Sequence, residues 1–236
     1  MRNYLTELVG TFFLVLTIGL TVLGGTEFAP LAIGSALMVM VYMGGHISGG
    51  HYNPAVTLAV YLRGKLPARE VLPYWIAQLV GAMLAALSVF VITERTFQPM
   101  PGAGVSMGDA LFVEFLFTFA LALVVLNSAT ATKTEGNSFY GLAIGITVMV
   151  GAFAGGAISG GAFNPAVGVG PALVSVMLGD GSLAPVWLYI VAPLLGGAVA
   201  AAMFRLQNPH DVAPPIPAAT GAVPSRPAAE PIPRQE

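Results

Sequence analysis

Apolar residues run along this chain in long blocks, and the charged residues fall between the blocks rather than within them. Uncharged stretches cover residues 8–26, 28–62, 71–93, 115–132, 136–179 and 181–204. Neither a period of 3.6 nor an alternation of two sorts them into wet and dry faces, so these are not surface helices or half-exposed strands. Crossing about 30 Å of hydrocarbon at 1.5 Å per residue takes about 20 apolar residues. Four stretches therefore predict one membrane-spanning helix each. The stretches 28–62 and 136–179 are too long for one span, and each carries a Gly-rich run followed by Asn-Pro-Ala near its middle. Each predicts a full span plus a shorter helical piece.

Composition agrees with this and narrows it. The 236 residues are 56% hydrophobic and 8% charged, against about 25% charged in a typical soluble domain. With a formal net charge of −2 there is no basic surface to neutralise phosphates, which argues against nucleic acid as a partner. The chain has no cysteine, which excludes disulfides and thiol catalysis. Two histidines five residues apart, His46 and His51, do not make a metal site. No cofactor is expected, and the absence of a nucleophile–base pair argues against an enzyme.

Six spans put both termini on one face. Taking that face as cytoplasmic places Arg2, Arg63, Lys65, Arg69, Lys133, Arg205, Arg226 and Arg234 inside and only Arg95 outside, as positively charged short loops require. The first apolar run contains Glu7 and lacks a convincing cleavage site, so it reads as a retained span. Residues 208–236 hold eight of the 18 prolines and few large apolar side chains, which predicts a disordered Pro/Ala-rich cytoplasmic tail.

The chain also repeats itself. His46-Ile-Ser-Gly-Gly-His-Tyr-Asn-Pro-Ala-Val56 matches Ala157-Ile-Ser-Gly-Gly-Ala-Phe-Asn-Pro-Ala-Val167 without a gap, and upstream Glu7 and Glu114 match in the same order. The channel domain, residues 1–207, thus divides into repeat one (about 3–100) and repeat two (about 107–207). Three spans per repeat force the second to enter from the opposite side, giving an inverted repeat. Pro54 and Pro165 suit a first helical position, and Asn53 and Asn164 before them suit a cap. Each Asn-Pro-Ala, comprising Asn53, Pro54 and Ala55 or Asn164, Pro165 and Ala166, should therefore open a short re-entrant helix. The irregular backbone before it is tolerable at that depth only beside a water-filled cavity or buried in protein.

The fold class is then an all-α membrane protein, with six transmembrane helices and two re-entrant half-helices. At these residues the chain resembles an aquaporin, of the wider major intrinsic protein family, from Asn3 to about Arg205. The resemblance implies a passive channel for water and small neutral solutes, a homotetramer in the lipid bilayer, and a plasma or inner membrane location. It places Asn53 and Asn164 as donors to water, with the carbonyls of Gly49, Gly50, His51, Tyr52, Gly160, Gly161, Ala162 and Phe163 as acceptors. Half-helix dipoles would exclude protons and ions. Glu7 and Glu114 would support the re-entrant loops. His46, on its own chemistry, reads as a packed or backbone-bonded residue rather than a sensor. Carried over without gaps, the filter positions are Ile33, Ala152, Gly161 and Val167. The family's usual Arg after the second box is Val167 here, which predicts a wide apolar ring. Two alternatives stay open: a facilitator for glycerol, urea or ammonia, and a proton-coupled carrier using Glu7 and Glu114.

Overall fold

A computed structural model describes residues 1–211. Eight α-helices follow one another: α1 Arg2–Leu23, α2 Ala29–Ser48, α3 Pro54–Leu62, α4 Ala68–Thr93, α5 Met107–Val125, α6 Tyr140–Ser159, α7 Pro165–Leu178 and α8 Val186–Gln207. A π-helical turn at Leu126–Thr130 extends α5. Among the described residues, six helices are long and apolar enough to cross a membrane. The other two are short. At 1.5 Å per residue, α3 with 9 residues and α7 with 14 span about 14 and 21 Å, so only the two end to end would cross the hydrocarbon.

The packing has two-fold character. α1 lies on α4 as α5 lies on α8, α4 meets α7 as α3 meets α8, and α2 and α6 pack against each other. Glycines set the closest approaches. A side-chain carbon on Gly34 would lie 2.6 Å from the Gly145 carbonyl oxygen, and one on Gly145 would lie 2.5 Å from that of Gly34. Gly81 faces the Leu8 carbonyl as Gly196 faces that of Phe115. Small residues bring the helix backbones together where hydrocarbon supplies no hydrophobic drive for association.

Two details differ from the expectations. His46 is exposed on the last turn of α2 rather than packed. The tail does not begin as free chain at 208. The Asn208 backbone amide donates to the Phe204 carbonyl and its side chain to Asn127, while the Asp211 carboxylate accepts from the Arg63 guanidinium at 2.7 Å and from the Thr132 amide and hydroxyl at 2.8 and 2.9 Å. Residues 208–211 are therefore held to the helical body. The rest of the expected tail, 212–236, lies outside the described residues.

Candidate pore

Each re-entrant segment starts where a glycine pair turns the chain out of a long helix. Gly49 and Gly50 have φ of 94° and 64°, Gly160 and Gly161 of 92° and 64°, a region that side chains disfavour. Tyr52 and Phe163 follow at φ 49° and 47°. Left-handed backbone at bulky aromatics costs on the order of 1–3 kcal/mol each and persists only when its surroundings impose it.

The carboxylates do the imposing. Glu7 Oε1 accepts from the Ser48 hydroxyl at 2.6 Å and the His51 amide at 3.0 Å, and its Oε2 accepts from the Tyr52 amide at 2.7 Å and Gln78 Nε2 at 2.8 Å. In the second half, Glu114 Oε1 accepts from the Ser159 hydroxyl at 2.7 Å and the Ala162 amide at 2.9 Å, and Oε2 from the Phe163 amide at 2.6 Å. Both carboxylates are fully buried. A buried charge is tolerable when several donors converge on it, and charge-assisted bonds of this kind contribute about 1.5–3 kcal/mol each.

Three further partners were missed by sequence reasoning. Tyr74 donates its hydroxyl to the Ser48 carbonyl at 2.7 Å, and Tyr189 donates to the Ser159 carbonyl at 2.5 Å. Each closes off the last turn of the preceding span. Their matching places in α4 and α8 were an available signal. Gln78 has no such counterpart. Its Nε2 also donates to Thr57 Oγ1 at 2.9 Å, tying the Glu7 cluster to α3.

The two boxes meet at the centre. Asn53 Oδ1 accepts from the Ala55 amide at 2.8 Å, and Asn164 Oδ1 from the Ala166 amide at 2.9 Å, so each side chain caps its own half-helix. Each Nδ2 then crosses to the other half. Asn53 donates to the Phe163 carbonyl and Asn164 to the Tyr52 carbonyl, both at 2.9 Å. Each amide thus has one N–H bound and one free. The crossing also occupies the Tyr52 and Phe163 carbonyls, two of the eight expected water acceptors. Among the described residues, no protein group donates to the carbonyls of residues 49–51 or 160–162.

Three cavities run past these groups and share walls. One, of about 880 Å³, opens beside Arg2, Lys65 and Glu70. It meets the central stretch at His51 and Val125, and the central stretch is lined by both Asn residues and by Tyr52 and Phe163. There the cavity shrinks to about 20 Å³, close to what one water needs. Beyond it a cavity of about 500 Å³ opens beside Phe97 and Met100, and Ile33, Ala152, Gly161 and Val167 all line it. The structure thus brings the four filter positions to one mouth. Ile33, Gly161 and Val167 also border the central stretch, so breadth at the ring does not continue inward. His51 sits at the other end of the narrow stretch, its Nδ1 3.1 Å from Thr57 Oγ1.

The family described as Major intrinsic protein matches residues 1–204. The chain is 37% identical over 225 residues to Glycerol uptake facilitator protein-like 6 of Lactiplantibacillus plantarum, covering 89% of this chain and all of that one. It is 36% identical over 216 residues to Aquaporin NIP1-1 of Zea mays, covering 87% of this chain and 74% of the relative. Among solved structures, the aquaglyceroporin from Plasmodium falciparum superposes with a TM-score of 0.77 at 22% identity, over 86% of this chain and 94% of that one, a likeness of fold. Paired capped half-helices, six spans and a match along nearly the whole helical body agree: this chain belongs to the major intrinsic protein family.

Proposed function

We propose that this chain is a passive membrane channel for water and small neutral solutes, and that the crossed Asn53 and Asn164 amides are its centre. The observation that carries this is the free N–H on each amide, in the smallest of the three cavities along a path whose carbonyls at 49–51 and 160–162 are left without protein donors. Water entering there exchanges bulk hydrogen bonds for donors at the middle and acceptors on either side. The starts of α3 and α7 meet at the same point, each carrying roughly half a positive charge, which opposes hydronium and other cations. Ile33, Ala152, Gly161 and Val167 then form the filter at the outer mouth, with no fixed charge on the ring.

The distribution of basic residues supports both termini being cytoplasmic: Arg2 and Lys65 line one mouth, while Arg95 borders the opposite surface. Residues 1–207 then form the channel domain, in a plasma or inner membrane, as one subunit of a homotetramer. Both intramembrane carboxylates are spent on loop donors, which supports a scaffold role over a proton-coupled carrier. The aquaporin and glycerol-facilitator relatives point the same way. Stopped-flow swelling of proteoliposomes under sucrose and glycerol gradients tests the proposal. Faster water flux than in empty vesicles, linear in the osmotic gradient, supports it. Saturable flux driven by a pH gradient would replace it with the carrier.

A further inference from the structure

The vestibule beside Arg2, Lys65 and Glu70 is the largest of the three cavities, at about 880 Å³, and the last described residue is tied to its rim. Thr132, which lines the vestibule, gives its amide and its hydroxyl to the Asp211 carboxylate. Arg63 supplies a third donor and is itself held with its guanidinium 4.5 Å from the Phe204 ring centroid. Residue 212 therefore starts at the edge of the opening through which the path is entered.

The walls of this vestibule suit an extended proline-rich segment. Tyr4 and Tyr74 meet edge to face with ring centroids 6.0 Å apart, and the His51 ring lies 5.1 Å from that of Tyr74, so aromatic rings run from the rim to the start of the narrow stretch. Hydroxyl bonds to Glu70 and to the Ser48 carbonyl fix both tyrosines. The turn after α5 adds only the small side chains of Ala129, Thr130 and Ala131. Polyproline II segments dock into aromatic-lined grooves because they are preformed, and they leave their carbonyls free to accept hydrogen bonds. Arg2 and Lys65, which take no salt bridge among the described residues, are donors for such carbonyls.

The sequence after Asp211 has the matching chemistry. Val212-Ala-Pro-Pro-Ile-Pro217 carries three prolines, and no charged residue occurs before Arg226, so its entry would strand no charge in the vestibule. Extended residues 212–217 span about 19 Å, whereas a compact cavity of about 880 Å³ is only about 10 Å across. Resting on the channel reading above, we propose that residues 212–217 fold back into this vestibule and occlude the path, so that the chain carries its own plug on the Asp211 anchor. A short tether holds such a segment at an effective concentration of mM order, so a dissociation constant of about 1 mM already closes the path about half the time.

The test compares water flux per channel in proteoliposomes for three forms: the full chain, a chain ending at Asp211, and a full-length Pro214→Gly, Pro215→Gly, Pro217→Gly variant that keeps the length and loses the preformed segment. Both altered forms should conduct at least about twofold faster than the full chain. Because the chain has no cysteine, Ala129→Cys combined with Ile216→Cys gives a second reading. Oxidation should join the pair and lower the flux, and dithiothreitol should restore it. Equal flux in all three forms overturns the plug and leaves the channel reading standing, and it is the result expected if the segment serves a separate protein with an aromatic groove. A cysteine pair that does not join, or joins without changing flux, also overturns it. If no form exceeds empty vesicles, the plug and the channel reading both fall.

Discussion

Replacing Glu114 by Gln keeps the shape of the second loop's support and removes its charge. The three donors on that carboxylate, Ser159 Oγ, the Ala162 amide and the Phe163 amide, need acceptors at both oxygens. A glutamine oxygen placed at Oε1 keeps the first two and turns its NH2 toward the Phe163 N–H. Donor then faces donor, and a buried amide is orphaned. A lost charge-assisted bond is worth about 1.5–3 kcal/mol and an unsatisfied buried donor about 1–3 kcal/mol, terms that overlap, so the net cost is about 2–4 kcal/mol. At roughly 2–4 °C per kcal/mol for a domain of this size, the midpoint of thermal unfolding in detergent should fall by about 4–16 °C. Phe163 also carries the carbonyl that Asn53 holds across the repeat, so loosening it should slow water flux as well. The assay pairs size-exclusion after heating with stopped-flow swelling. An unchanged midpoint together with unchanged flux would refute the support role. An unchanged midpoint with loss of pH-driven transport would assign the residue to proton relay instead.

Other outcomes follow from separate features. The Thr132 amide and hydroxyl and the Arg63 guanidinium hold the Asp211 carboxyl below its ordinary value of 3.8. Its contribution to stability is thus fully present above that value and lost as pH falls through the lower folded one. Limited proteolysis of the segment joining α5 and α6 should be flat from pH 8 to 5, whereas Asp211→Asn should raise it across that whole range. Gly34→Leu should force α2 from α6 against the Gly145 carbonyl and cost at least about 1–3 kcal/mol, read as loss of monodisperse protein on extraction. Mercuric chloride should leave water flux unchanged, because the chain has no cysteine for it to bind.

The spans were legible because hydrocarbon tolerates so few charges that the charged residues themselves mark the helix ends. The helices nevertheless run past those marks: α4 takes in Arg69 and Glu70, and α5 takes in Asp109, since a helix continues into the interface where water solvates the ends. The half-helices were legible for a local reason, a cap followed by proline. What escaped is long-range. Gln78 reaches Glu7 across α1 and α4, and a polar residue inside an apolar span says that it needs a partner without saying which. The crossed Asn bonds join residues more than a hundred positions apart, and nothing local specifies them. Asp211 sits in proline-rich surroundings that read as free chain, although Arg63 and Thr132 claim it. The bore was equally hidden, because it depends on side chains from several helices closing together.

The double anchoring of each central amide has a kinetic consequence. Asn53 and Asn164 are each fixed at both ends of the amide, one atom on their own helix and the other on the opposite strand of backbone, so neither can rotate when a molecule arrives or leaves. Preorganised groups spend no conformational entropy at each encounter and need no reorganisation between one passage and the next. Traffic through the middle should therefore show a shallow dependence on temperature, set by the exchange of hydrogen bonds in the file rather than by any motion of the protein.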